Sequence, residues 1–139
     1  MRYRLQESSF ELPDGLHDQS VNIFTSSTSG PSGFSIVITR GTVDLGSDLA
    51  EHVSQELQAL QRTLVDFRLT YRRQHQVDGR MVEIAGATFS TGDVVVEQHQ
   101  VFLVDGPRSL TITASAAGAV SPEQFATFRD VVQSFRFGS

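Results

Sequence analysis

Residues 92–115, GDVVVEQHQVFLVDGPRSLTITAS, decide the fold, because they form a pattern of two long strands joined at Asp105-Gly106. The first half is rich in β-branched residues, and the second alternates apolar with hydroxyl side chains from Leu110 to Ser115, which suits a half-buried pleated surface. Asp-Gly is a strong hairpin signal, and the Pro107 that follows it predicts a loop of three to five residues. The rest of the chain must cover or extend this hairpin.

Length and composition favour one self-sufficient domain. The chain has 139 residues, so we expect residues 1–139 to form a single domain that needs neither a disulfide nor a metal to fold. It contains no cysteine, which excludes disulfides, thiolate catalysis and cysteine-ligated zinc. The net charge is −5 and the basic residues are scattered, which argues against nucleic-acid binding. No signal sequence or membrane span is visible, so we predict a cytoplasmic protein without stable membrane insertion.

Periodicity predicts the elements before the central hairpin. Residues 19–25 and 34–40 alternate and are expected to pair, with apolar side chains on both faces. Ser47 or Asp48 can cap a helix that runs to about residue 64, because a short side-chain oxygen accepts from free amides of the first turn. Helical spacing places one apolar stripe on it: Leu49, Val53, Leu57, Leu60 and Leu64.

Two further strands and a last helix complete the pattern. Residues 67–73 and 81–89 read as strands joined by an Asp78-Gly79 turn, so four consecutive strands make an antiparallel meander. Ser121, Pro122 and Gln124 have the order of a capping box with proline at the first helical position, followed by a phenylalanine-rich stripe. The sequence therefore predicts an α+β fold, an antiparallel sheet flanked by two main helices.

Catalytic and metal-binding patterns are weak. The four histidines have no ligand spacing, and His99 on the central strand is best interpreted as hydrogen-bonded to a cross-strand neighbour. The serines lack a nucleophile elbow and the carboxylates are dispersed, so no acid/base pair can be named. We predict a binding module without enzymatic activity, cofactor or metal.

The opening of the chain resembles a known family. Residues 12–24, LPDGLHDQSVNIF, resemble the Leu-Pro-Asp-Gly/Ala-Trp-x-Asp-x-Ser-Ile/Val-Asn-Ile-Phe run of the Eag proteins, the effector-associated chaperones of bacterial type VI secretion. The resemblance continues through residues 36–40, 49–64, 100–102 and 134–137. Leu16 stands where the family commonly has Trp, and it keeps a large apolar group at that position.

The resemblance implies a PsbP-like α+β fold, a homodimer, and a hydrophobic groove that holds the N-terminal transmembrane segments of a secreted toxin until export. By position, the residues that would line this groove are Val21, Ile23, Val37, Glu56, Leu60, Leu64, Val96 and Gln100. Glu56 stands where relatives can have Gln. Ordinary core or dimer burial is the competing interpretation for each aliphatic residue.

Two other functions remain open at this point. One is a non-enzymatic assembly or scaffold protein on the same fold, and the other, much weaker, is an enzyme acting on a small ligand. A concave pocket with convergent titratable groups would favour the enzyme.

Overall fold

The computed structural model describes residues 21–25, 34–44 and 46–136, and for residues 21–25 the backbone alone. Within these ranges it has six strands and two helices: β1 (Val21–Thr25), β2 (Ser35–Thr42), α1 (Leu49–Thr63), β3 (Val65–Val77), β4 (Arg80–Thr91), β5 (Val94–Asp105), β6 (Arg108–Ala117) and α2 (Pro122–Ser134). The strands form one antiparallel sheet in the order β1-β2-β6-β5-β4-β3. The predicted α+β fold, with a meander from β3 to β6, is confirmed. The extended segments and turn expected before residue 20 lie outside the described residues.

The central hairpin differs from the prediction at its turn. Asp105 pairs directly with Arg108, so Gly106 and Pro107 alone form the loop, and the expected three to five residues are wrong. Gly106 has φ +61°, and proline fixes a negative φ at the next position, which is the sign pattern of a type II′ turn. The Asp78-Gly79 turn is confirmed, with positive φ at both residues.

Both helices begin as their sequences predict. The Asp48 carboxylate accepts from the Glu51 amide at 2.8 Å at the start of α1. At α2, Ser121 and Gln124 exchange the two hydrogen bonds of a capping box, at 3.1 and 2.9 Å. These bonds satisfy backbone groups that a helix start leaves unpaired.

The two helices pack on opposite faces of the sheet. On one face α1 forms a small core with β4 and β5, made by Val53, Leu57, Ala85 and Phe102. On the other face α2 covers the main core, which includes Phe128, Val132, Ile84, Val101 and Ile112. The alternation of neighbouring residues such as Val101 and Phe102 between the two cores follows from the period of two in a strand.

The position of β2 determines the shape of the α1 face. This strand pairs with β6 rather than with a neighbour in sequence, and β1 follows outside it. The backbone amide of Val43 donates to the Pro107 carbonyl at 2.9 Å and fixes the end of β2 to the central turn. Helix α1 packs on β3, β4 and β5, so the half of this face formed by β6, β2 and β1 lies beside the helix.

Candidate functional site

A single row of paired residues crosses the whole sheet on the α1 face. Starting from the β1 edge, its members are Ile23, Val37, Thr113, Gln100, Ala85 and Arg72. Directly opposed residues on neighbouring strands share a face, so the row joins the helix-covered half of the sheet to the other half. We call the half formed by β6, β2 and β1, together with the adjoining edge of β5, the groove.

Arg72 holds α1 against the far half of the sheet. Its Nε donates to Glu83 at 2.6 Å, and its two terminal nitrogens donate to the Ser54 hydroxyl and the Ala50 carbonyl, each at 3.0 Å. The Glu83 side chain is only 6% exposed. Because a guanidinium presents its donors in a rigid fork, one side chain joins the helix to two strands.

Polar side chains form much of the groove floor. The side-chain amide of Gln100 donates to the Thr113 hydroxyl at 3.1 Å, and that of Gln98 donates to the side-chain oxygen of Gln100 at 3.4 Å. One row further, the hydroxyls of Ser35 and Ser115 lie 3.2 Å apart. Both glutamines are buried, at 6% and 8% exposure. The floor therefore presents amides and hydroxyls beside the half-buried Val37.

The flank of α1 that turns away from β3 borders the groove. Ala50 and Ser54 mark the opposite flank, because both contact Arg72. Helical spacing then places Glu56 and His52, one turn apart, on the groove side. The His52 ring nitrogen Nε2 is buried, lies 3.9 Å from the Glu56 carboxylate, and has no hydrogen-bond partner among the described residues.

The other residues predicted to line the groove lie in different parts of the structure. Leu60 is half-buried and packs against the small core under α1, and Leu64 is the half-buried C-cap of that helix. Val96 is half-buried near the start of β5, where it pairs with Phe89 and Ala117. The backbone of Val21 pairs with Thr39 in the row next to Ile23. The register therefore places Ile23, Val37 and Gln100 in one row and Val21 in the next, while Glu56 lies on α1, the helix that packs on β5.

Sequence reasoning missed several polar groups of the groove: Ser35, His52, Gln98, Thr113 and Ser115. The alternation of hydroxyl residues along β6 was visible in the sequence. This alternation could not indicate which face of the sheet the hydroxyl residues would occupy, because that depends on how β6 pairs with β2.

His99 lies on the α2 face, away from the groove. Its Nδ1 is hydrogen-bonded to the Tyr71 hydroxyl and its Nε2 to the Glu97 carboxylate, both at 2.6 Å. The strand neighbour of His99 is Gly86, and the Tyr71 ring crosses over that glycine to reach the imidazole. His99 is hydrogen-bonded as expected, but its partners are Tyr71, two strands away, and Glu97 on its own strand, rather than a cross-strand neighbour.

Burial, more than any charge, raises the pKa of Tyr71; the Glu97 charge adds to the rise and Arg73 opposes it. The phenol is therefore held in its neutral form, as a hydrogen-bonding group rather than a nucleophile.

The described residues contain neither a cluster of metal ligands nor a helix that could span a membrane. No three His, Asp or Glu side chains converge there as a metal site would require. No helix in those same ranges is long and apolar enough to cross a membrane.

Comparisons with known proteins cover nearly the whole chain. A family model described as DcrB matches residues 7–134. Effector EagT6 of Pseudomonas aeruginosa is 28% identical over 133 residues, which are 95% of this chain and 92% of that protein. The resemblance to the Eag proteins indicated by residues 12–24 is thereby confirmed.

Solved structures agree with the fold. The crystal structure of PA94, a Pseudomonas aeruginosa protein of unknown function, superposes with a TM-score of 0.85 at 27% identity and covers 99% of this chain and 96% of that one. The solution structure of cyanobacterial PsbP from Synechocystis gives a TM-score of 0.57 at 10% identity, over 91% of this chain and 97% of that one. The second likeness shows the fold alone, and it confirms the predicted PsbP-like architecture.

Proposed function

Because the chain belongs to the DcrB family, we propose that it is a non-enzymatic, chaperone-like protein that binds a partner effector of bacterial type VI secretion. The likeness to Effector EagT6 over 95% of the chain supports this role. The finer proposal concerns what is bound. The groove holds an N-terminal transmembrane segment of the effector, which we call the client, and shields it before export.

The observation that carries this proposal is the space beside α1. Strands lie about 4.8 Å apart, so β6, β2 and β1 together offer a strip of about 14 Å. An α-helix with its side chains is about 10–12 Å across. One client helix therefore fits beside α1 on the same face, with α1 as one wall.

The polar floor suits a membrane helix as client. In a bilayer, helices associate through close packing of small residues and through side-chain hydrogen bonds, because lipid already satisfies their apolar surface. The amides of Gln98 and Gln100 and the hydroxyls of Thr113 and Ser115 offer such hydrogen bonds, while Val37 offers an aliphatic contact. A client helix with small and hydroxyl-bearing residues on one side would match this surface.

The proposal includes a cytoplasmic location and a homodimer. The location follows because a client segment must be shielded before it meets a membrane. The homodimer follows because association of two chains removes exposed apolar surface from water. Light scattering of the purified protein at micromolar concentration should give the mass of two chains, and the mass of one chain would contradict the dimer.

The test uses neighbouring residues of β2 that point to opposite faces. The protein is co-expressed with the first ~60 residues of the effector, long enough for two spans of ~20 residues. Val37→Asp should leave the domain folded and abolish co-purification, because an unpaired carboxylate at a desolvated contact costs several kcal/mol. Ile23→Asp should behave in the same way. Ile38→Asp is the matched control for the opposite face, where Ile38 is buried in the main core, and it should unfold the domain.

Two further variants complete the design. Gln100→Ala should weaken client binding by about 0.5–1.5 kcal/mol if its amide bonds to the client. Val65→Asp changes a valine that is 65% exposed on β3 and should bind as the wild type does. Circular dichroism verifies the fold of each variant. Wild-type affinity in folded Val37→Asp and Ile23→Asp would place the client elsewhere and refute the groove.

A further inference from the structure

A separate cleft lies on the opposite face of the sheet, between β3 and α2. Its volume is about 80 Å³. Ile84, Phe128 and Val132 supply apolar lining, and the side chains of Arg73 and Arg129 line it as well. The sheet therefore separates this cleft from the groove on the α1 face.

Among the described residues, neither arginine has an acidic partner. Neither has a carboxylate within ion-pair distance among the described residues, although the chain carries a net charge of −5. Glu97, the acid whose charge acts on the neighbouring Tyr71, is bonded to His99 and to the Val120 amide. Two arginine side chains that line one largely apolar cleft favour the binding of an anion.

Arg73 is also held in position. Its guanidinium carbon lies 4.9 Å from the centre of the Tyr71 ring, and that ring is itself fixed by the hydrogen bond from its hydroxyl to His99. At the rim, His75 and Gln133 are hydrogen-bonded to each other and join β3 to α2. Arg73 is therefore positioned before any ligand arrives, which lowers the entropic cost of binding at that side chain.

The size and the lining select the ligand. A water molecule needs about 10–15 Å³ by the same measure, so the cleft has room for several heavy atoms. A planar carboxylate matches the fork of an arginine, and a short hydrocarbon matches the apolar floor. A bare inorganic anion would leave that floor in contact with water.

We propose that the cleft between β3 and α2 binds a carboxylate carried on a short aliphatic stem, through Arg73 and Arg129. Two sources share this chemistry, a free short-chain carboxylic acid and a glutamate side chain of a partner protein. Since the cleft and the groove are on opposite faces, this binding does not depend on the proposed client, and both sites can be filled at once.

The test is an NMR titration of the full chain labelled with ¹⁵N, followed at the Nε–Hε signals of the arginines. Butyrate should shift the signals of Arg73 and Arg129, and butyramide, its neutral isostere, should not. Arg73→Gln and Arg129→Gln should each raise the Kd for butyrate about tenfold, because each removes one charge-assisted contact. Arg62→Gln removes the same charge from the last turn of α1 and should leave the Kd unchanged.

A second pair of probes distinguishes the sources. The blocked tripeptide acetyl-Val-Glu-Val-amide is compared with acetyl-Val-Gln-Val-amide. Tighter binding of the glutamate peptide than of butyrate identifies a protein segment as the source, and the reverse order identifies a free acid. The proposal is overturned if neither carboxylate shifts these two signals below about 50 mM. Equal shifts by the neutral amides, or an unchanged Kd in both arginine variants, would overturn it as well.

Discussion

Arg72→Ala is the change that tests most directly how the wall of the groove is held. This side chain extends from β3 and forms three hydrogen bonds. One joins it to Glu83 on β4 at 2.6 Å, and the other two join it to Ser54 and Ala50 on α1, each at 3.0 Å. Removing it leaves the Glu83 carboxylate, only 6% exposed, without its cationic partner. It also removes the donors to the Ser54 hydroxyl and the Ala50 carbonyl.

The expected loss follows from the burial of the two partners. Breaking a fully buried pair by truncating one member costs about 3–5 kcal/mol, because the other charge is left desolvated. Arg72 is 30% exposed, so water can reach part of the site, and we expect a loss of about 2–4 kcal/mol. Glu83→Gln keeps an acceptor for Nε and should cost about 1 kcal/mol. The double variant that carries Arg72→Ala and Glu83→Gln leaves no buried charge unpaired. Its loss of unfolding free energy should therefore be smaller than the sum of the two single losses by at least about 1 kcal/mol.

The assay is urea unfolding, with stability compared at an unchanged dependence on denaturant. Arg80→Ala is the matched control, because its ion pair with Asp105 is about half exposed on both sides and should contribute about 0–1 kcal/mol. Hydrogen exchange should show the α1 amides opening more readily in Arg72→Ala while the α2 amides change less. A loss no larger than that of Arg80→Ala, or equal opening of both helices, would refute this account of the wall.

Three smaller predictions concern the α2 face. Gly86→Ala should destabilise the protein by about 1–3 kcal/mol, because the new Cβ would lie 2.2 Å from the Tyr71 ring, and Tyr71→Ala should relieve most of that cost. Because burial raises the pKa of Tyr71 above its usual value of 10.0, its contribution to stability should be full below pH 10 and be lost as the pH rises through the raised pKa. Urea midpoints measured across that range should fall less steeply in Tyr71→Phe. Ser121→Ala should cost about 1 kcal/mol by loss of the capping box, and thermal unfolding measures this loss.

The sequence by itself determined the order and type of the elements and how the two helices begin, whereas β3 extends further than predicted, over Val65–Val77. Caps and tight turns depend on a few adjacent residues, so Asp48, Ser121 and the Asp78-Gly79 turn could be identified from local chemistry alone. The turn at Pro107 was wrong because two local signals competed. Proline suggested a longer loop, while Gly106 could supply the positive φ that a two-residue turn requires.

The family resemblance, rather than periodicity, named the groove residues, and the positions of their side chains as client contacts stay a prediction. Alternation along β2 showed apolar residues on both of its faces, which meant that something must cover each. It did not indicate what would cover them.

Only the tertiary structure decided which residues meet in the groove. The pairing of Val37 with Thr113, and of Thr113 with Gln100, depends on β2 joining the far side of β6, and no local pattern contains that choice. The same holds for Arg72, whose hydrogen bonds hold α1 over β3, β4 and β5 and leave the other three strands beside it. Local rules act over a few residues. Burial of the whole core, in contrast, decides the register between distant strands and the position of a helix on a sheet.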